Sequence, residues 1–186
     1  MGSQIQGRFI IQVLKRFADA ADSKQLAKLC QEVGLPSEPW NGESYSLVLF
    51  NRLMDEGCRR FWPELTLEEG QYRHGKDLLL LYKGSVAGKV NLALSGNDLK
   101  KLAASTPRFY NAIATTGKVT YVDTGEKSYR LEFRGFESSP HYHYGGISAA
   151  THELNSNVEV KMKILKLENP EPGVYLTDMD FTIVIP

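Results

Sequence analysis

Apolar positions recur at three- and four-residue spacing through the first part of the chain, then switch to alternation near Gly117. Phe9, Ile10, Val13, Leu14, Phe17 and Ala21 form one helical stripe; Leu26, Leu29, Cys30 and Val33 form a second. Ser23 is placed to cap this second helix and Gly34 to end it in the left-handed conformation. The run "LPSEPWNG" predicts a loop, because two prolines and a glycine interrupt regular structure. The strongest stripe runs from Tyr45 to Trp62, with Phe50, Leu53, Met54, Gly57, Cys58 and Phe61 on one face. Asn51, Arg52, Asp55, Glu56 and Arg59 fill the other face, and Pro63 stops the helix. Thr66 and Glu69 then read as a capping box. The helix through "DLLLLY" is expected to be irregular near Gly84 and Gly88, and "KVNLALSG" fits helix or strand. Asp98 is placed to cap a further helix that Pro107 kinks and Gly117 ends.

After Gly117 the period becomes two. Val119 and Tyr121, then Tyr129, Leu131 and Phe133, flank the polar turn "DTGEKS" and predict a hairpin. The stretch "SSPHYHYGGISAATHE", Ser138 to Glu153, predicts a loop with tyrosine anchors entering a short helix from about Gly146 to Asn155. Two more strands follow. The first places Val158, Val160, Met162 and Ile164 on one face, and the second lies beyond the turn "NPEPG". The predicted class is α+β, an N-terminal helical half (1–116) packed on a C-terminal antiparallel ββαββ sheet (117–186) of about four strands, in a single domain.

Composition narrows the function classes. Of the 186 residues, 42% are hydrophobic and 24% charged, as in an ordinary globular chain. Lysine plus arginine equal aspartate plus glutamate at 22 each, and basic residues occur singly or in pairs. This balance argues against a nucleic-acid partner. No apolar run approaches the ~20 residues of a membrane span. The N-terminus lacks the apolar stretch of a signal peptide and the hydroxyl residue of a myristoylation signal, so a cytoplasmic location is expected. Cys30 and Cys58 sit inside helical patterns and read as core residues.

Candidate chemistry centres on His141, His143 and His152, three of the four histidines. Extended backbone would put the first two on one face. Three neutral imidazoles could then hold zinc with an open position for an activated water, which is the reading as a metal-dependent enzyme. Against it, no cysteine or carboxylate stands at supporting spacing, and Tyr142 and Tyr144 fit an anchored loop. No metal or other cofactor is assigned. His74, within "GQYRHGK", reads as solvated. "GSVAGKV" falls short of a phosphate-binding loop, with three residues between its glycines and Val90 in place of the hydroxyl residue.

With no catalytic constellation, the sequence points to a noncatalytic regulatory or sensor-like domain. Its expected ligand is small and apolar, in a pocket between helices and sheet lined by Phe50, Met54, Phe109, Tyr110 and Tyr142. Self-association as a homodimer through the helix from Tyr45 to Trp62 is a compatible expectation; a pure protein-interaction module is the alternative.

The runs "RRFWPELTLEEGQYRHG", "YKGSVAGKV" and "TPRFYNAIATTGKVTYVDTGEKSYRLEFRGF" resemble a myxobacterial paralogous family of uncharacterised proteins of about 180 residues, a likeness that supplies no catalytic residues. In layout the chain more distantly resembles the fold group of heme nitric-oxide-binding, four-vinyl-reductase and Bet3-like domains. That resemblance implies an apolar pocket between sheet and helices and dimerisation through helices. The heme-binding domains of that group use a Tyr-x-Ser-x-Arg run. Here the nearest text is "YRLEF", Tyr129 to Phe133, without the Ser or Arg. The sensor domains often carry a late cysteine, and none follows Cys58. Both departures argue against heme or a metal in the sheet half.

Overall fold

The computed structural model describes residues 3–96, 98–113 and 116–186, without the side chains of Ala87, Asn91, Leu92, Leu94, Phe109 and residues 111–113. A helical front half precedes paired strands, the α+β layout that the change of period predicts. Helices α1 (Gly7–Phe17), α2 (Ser23–Val33) and α3 (Leu47–Phe61) bury their stripes against one another, with Ile10, Phe17, Leu29, Phe50, Leu53 and Met54 fully enclosed. A two-stranded ribbon, β1 (Gln4–Gln6) with β2 (Ser44–Ser46), ties the start of α1 to the start of α3.

Several local expectations are corrected. Asp22, not Ser23, caps α2: its carboxylate accepts from the Gln25 amide while the Gln25 side chain accepts from the Asp22 amide. Gly34 ends the helix at φ 91°, as its position predicts. In α3, Asn51 and Asp55 leave the polar face and are buried, because α4 (Leu67–Lys76), the chain at Glu137 and the sheet residues Gly173 and Tyr175 close over that side. Thr66 and Glu69 do form the capping box of α4. The helix expected to be irregular breaks into α5 (Leu78–Gly84) and α6 (Val86–Ser95), so "KVNLALSG" is largely helical. Asp98 accepts from the Lys100 and Lys101 amides at the start of α7 (Leu99–Ile113).

The sheet runs β3-β4-β6-β5, antiparallel throughout, from β3 (Lys118–Gly125), β4 (Ser128–Phe136), β5 (Glu159–Glu171) and β6 (Val174–Val184). Tyr129, Leu131 and Phe133 on β4 and Tyr175, Thr177, Met179, Phe181 and Ile183 on β6 point inward. On β5 the inward face ends early. Val160 is buried and Met162 half-buried, but Ile164 is exposed, and every residue from Lys163 to Pro172 is exposed. A register shift between Ile164 and Lys166 breaks the alternation there.

Between the two hairpins lies α8 (Pro140–Leu154), which starts about six residues before the expected short helix. Ser139 caps it, accepting from the His141 amide, and Pro140 takes the first turn, where no amide partner is needed. Pro-His-Tyr-His-Tyr is therefore helical rather than extended.

Candidate functional site

Helix α8 carries most of the chemistry, and glycines set its place. Gly145 packs directly on Gly75 of α4: a Cβ on Gly75 would overlap the Tyr142 carbonyl, and one on Gly145 the Tyr72 carbonyl. The next residue, Gly146, leaves room for Leu78, whose Cδ1 would stand 2.8 Å from an added Cβ. The helix thus faces two cores at once. Tyr142 joins the cluster of α1–α3, and Ile147 joins the cluster between α7, α8 and the sheet.

Where these cores meet, the described residues border two cavities. One, of about 70 Å³, lies between Leu78, Leu102, Tyr110, Leu131, Ile147 and neighbouring apolar groups. The other, of about 50 Å³, is bounded by Phe9, Phe50, Leu78, Tyr110, Phe136 and Tyr142 and reaches Ser138 and His143. Leu78 and Tyr110 line both, so these two side chains form the partition. No described lining residue of either cavity is charged.

One corner of the smaller cavity is polar. The Ser138 hydroxyl and His143 Nε2 are 2.6 Å apart, and His143 Nδ1 stands 3.4 Å from the Tyr110 hydroxyl. All three are buried. Burial pushes the His143 pKa down to about 3 and raises that of Tyr110, so both are neutral at pH 7. A neutral imidazole with a hydroxyl on each side can take either tautomer.

The three histidines of the metal reading do separate work. Residues two apart on a helix are turned by about 200°, so His141 and His143 do not share a face. His141 is half-buried, His143 lines the cavity, and His152 Nε2 donates to the Val158 carbonyl at 3.0 Å. Among the described residues, no three His, Cys, Asp or Glu side chains are grouped to hold a metal ion. His74 is corrected from solvated to buried. It stacks on Trp62 and meets Phe17 edge-on, both with ring centroids 4.7 Å away, and neither ring nitrogen has a partner among the described residues. Burial, helped by the charges of Arg16 and Arg73, pushes its pKa down to about 3.

Of the residues expected to line a pocket, Phe50, Tyr110 and Tyr142 border the smaller cavity. Met54 lies fully buried in the helical core and borders neither, and the Phe109 side chain lies outside the described residues. The α3 stripe offered for self-association is covered within the one chain; the exposed apolar side chains include Ile164, Leu165, Leu167 and Leu176 on the β5–β6 hairpin. Sequence reasoning missed Leu78, hidden in "DLLLLY", and Ser138. The pair Gly145-Gly146 was the available signal, since adjacent glycines within a helix mark close approach.

A buried polar network joins the helices to the sheet beside this site. Gln71 Nε2 donates to Asp55 Oδ1 (2.7 Å) and lies 2.9 Å from the Tyr175 hydroxyl, which donates to Asp55 Oδ2 (2.6 Å). The Ser139 hydroxyl donates to Gln71 Oε1 at 2.5 Å. Burial raises the Asp55 pKa against these hydrogen bonds. Nearby, the Asn51 amide donates to the Glu137 and Gly173 carbonyls, both at 2.8 Å.

The family described as Protein of unknown function (DUF2378) matches residues 4–168. A comparison with curated proteins found no match. Among solved structures the chain is similar to an oxygen-binding H-NOX domain related to soluble guanylate cyclases (10% identity, 98% of this chain and 96% of that one, TM-score 0.67). It is also similar to an Fe(II) unliganded mutant H-NOX protein from K. algicida (14%, 97% and 96%, TM-score 0.67). A third is an H-NOX structure from a study of heme distortion (10%, 97% and 95%, TM-score 0.70). At these identities the likeness shows the fold.

A heme does not fit the residues present. At about 70 and 50 Å³ the two cavities fall far short of the ~300 Å³ at which sites for larger ligands begin. No described lining cation stands ready for propionates, and both His143 nitrogens face hydroxyls. Leu131 and Phe133, where the resemblance pattern has Ser and Arg, are apolar and buried in the core between the helices and the sheet.

Proposed function

We propose that this chain, which belongs to the family Protein of unknown function (DUF2378), is a noncatalytic sensor-like domain for a small apolar molecule. The ligand sits where the helices meet the sheet, and the chain acts in one domain through self-association or a protein partner. The observation that carries this reading is the pair of uncharged apolar cavities meeting at Leu78 and Tyr110. A chain at native packing density leaves few such spaces, and two at the junction of two cores form a site that a ligand can complete. The H-NOX fold adds support, since one similar structure is an oxygen-binding domain of that fold. A His143 held neutral down to about pH 3 is a poor general base, which favours binding over catalysis.

Ligand entry would move Leu78 on α5 and Tyr110 on α7, and α8 would carry the change to α4 through the Gly75–Gly145 contact. Self-association has its best surface in Ile164, Leu165, Leu167 and Leu176, beside the open edge of β5. Thermal melts with and without toluene, joined to native mass spectrometry of gently purified protein, test the reading. A raised Tm or a bound small molecule supports it; an unshifted Tm at saturating toluene together with apo mass alone overturns it.

A further inference from the structure

We propose that the cavity beside Ser138 takes an uncharged hydroxyl compound, a short alcohol or a phenol, with its hydroxyl at Ser138 and His143 and its hydrocarbon against Phe50, Leu78 and Tyr142. This rests on the ligand-binding reading above and adds the chemical class of the ligand. Three observations lead to it.

The first is the lining. With no charged side chain among the described wall residues, a carboxylate or ammonium would enter unpaired. Burying an unpaired charge is so costly that such ligands are excluded. The ligand is neutral.

The second is the polar corner. Ser138, His143 and Tyr110 form a buried run of three groups that can each donate and accept, and it ends at the cavity wall. When His143 Nε2 carries the proton, it donates to Ser138 Oγ, and the serine hydrogen is released toward the cavity. When Nδ1 carries it, Ser138 donates to Nε2 and presents its lone pairs to the cavity instead. A ligand hydroxyl satisfies either state, because it donates and accepts. A pure hydrocarbon satisfies neither, and leaves a desolvated hydroxyl facing it.

The third is size. A space of about 50 Å³ accepts a small head group, and displacing the partition of Leu78 and Tyr110 would join it to about 70 Å³ of mainly apolar, uncharged space beyond. The polar end and the apolar end are thus arranged in the order of a small alcohol or phenol.

Calorimetric titration of the full chain with phenol, toluene and benzoate tests the inference. Phenol should bind at least about tenfold tighter than its isostere toluene, and benzoate should show no heat. In Ser138→Ala, phenol should fall to within about threefold of toluene, with toluene unchanged. The ¹⁵N shifts of His143 in the unmutated chain provide a readout independent of that variant: phenol should move them and toluene should not. Equal binding of phenol and toluene, or unmoved His143 shifts at saturating phenol, overturns the hydroxyl assignment and leaves the apolar site standing. Tighter binding of benzoate overturns the neutral class. Failure of both phenol and toluene to bind the folded chain overturns the site itself.

Discussion

Gly75 of α4 and Gly145 of α8 touch along their backbones, so closely that a single methyl on either would overlap a carbonyl of the opposite helix. This contact lets α8 lie inside the molecule, with Tyr142 and His143 at one cavity and Ile147 at the other.

Gly145→Ala gives opposite expectations from two effects. Helix propensity alone would stabilise α8 by about 1 kcal/mol. The overlap with the Tyr72 carbonyl forces the helices apart and costs about 1–3 kcal/mol or more. We expect the overlap to win and the urea midpoint to fall. A midpoint at or above that of the unmutated chain would mean that the crossing is not close.

Leu78→Ala removes half of the partition between the cavities. The cost is about 2–5 kcal/mol, as for other buried leucines. The joined space should then bind toluene more strongly than the unmutated chain does. The check is the rise in Tm on adding toluene: an equal rise in both proteins would show that Leu78 does not divide the space.

Stability should depend on pH through two buried histidines. His74 and His143 titrate near 3 when folded and near 6.5 when unfolded. Between these values the unfolded chain binds more protons, so stability is full above about 6.5 and is lost as pH falls toward about 3. Each contributes a slope of up to about 1.4 kcal/mol per pH unit. Asp55, raised by burial, acts with the opposite sign: its contribution is present below its unfolded pKa and lost as pH rises through its folded one. Urea midpoints at pH 5 and 7 should differ clearly, and His74→Phe should reduce the difference by about half of the histidine effect. An unchanged difference would remove His74 from the account.

The α2 cap gives a smaller test. Asp22→Ala should cost about 1 kcal/mol, and Ser23→Ala close to nothing. The reverse ranking in thermal melts would contradict the observed cap.

The layers were legible because α1–α3 and the sheet strands each present one face to a core, which leaves a clear period in the sequence. Helix α8 was not, because it is covered by α4 on one side and the sheet on the other, so no apolar stripe marks it, and "SSPHYHYGG" carries turn-forming residues. His74 looked solvated because its buried face on α4 consists of Gly70, Gln71 and Gly75, which carry no apolar signal. Asn51 and Asp55 looked outward for a related reason: their cover comes from residues distant in sequence, Glu137, Gly173 and Tyr175. The three-residue strands β1 and β2 are too short to show alternation. Tyr110, Phe50 and Tyr142 could be named as aromatic anchors, but the cavity they share depends on how helices cross, which spacing along one chain does not encode.

The clasp of Asn51 on the Glu137 and Gly173 carbonyls makes α3 a gauge of chain length. One residue inserted between Leu47 and Asn51 would rotate that amide by about 100° and detach the sheet turn. A peptide spliced in at Glu126, in the exposed bend between β3 and β4, would disturb no enclosed group. Reporter tags belong at that bend, and homologous chains should vary in length there while keeping α3 free of insertions.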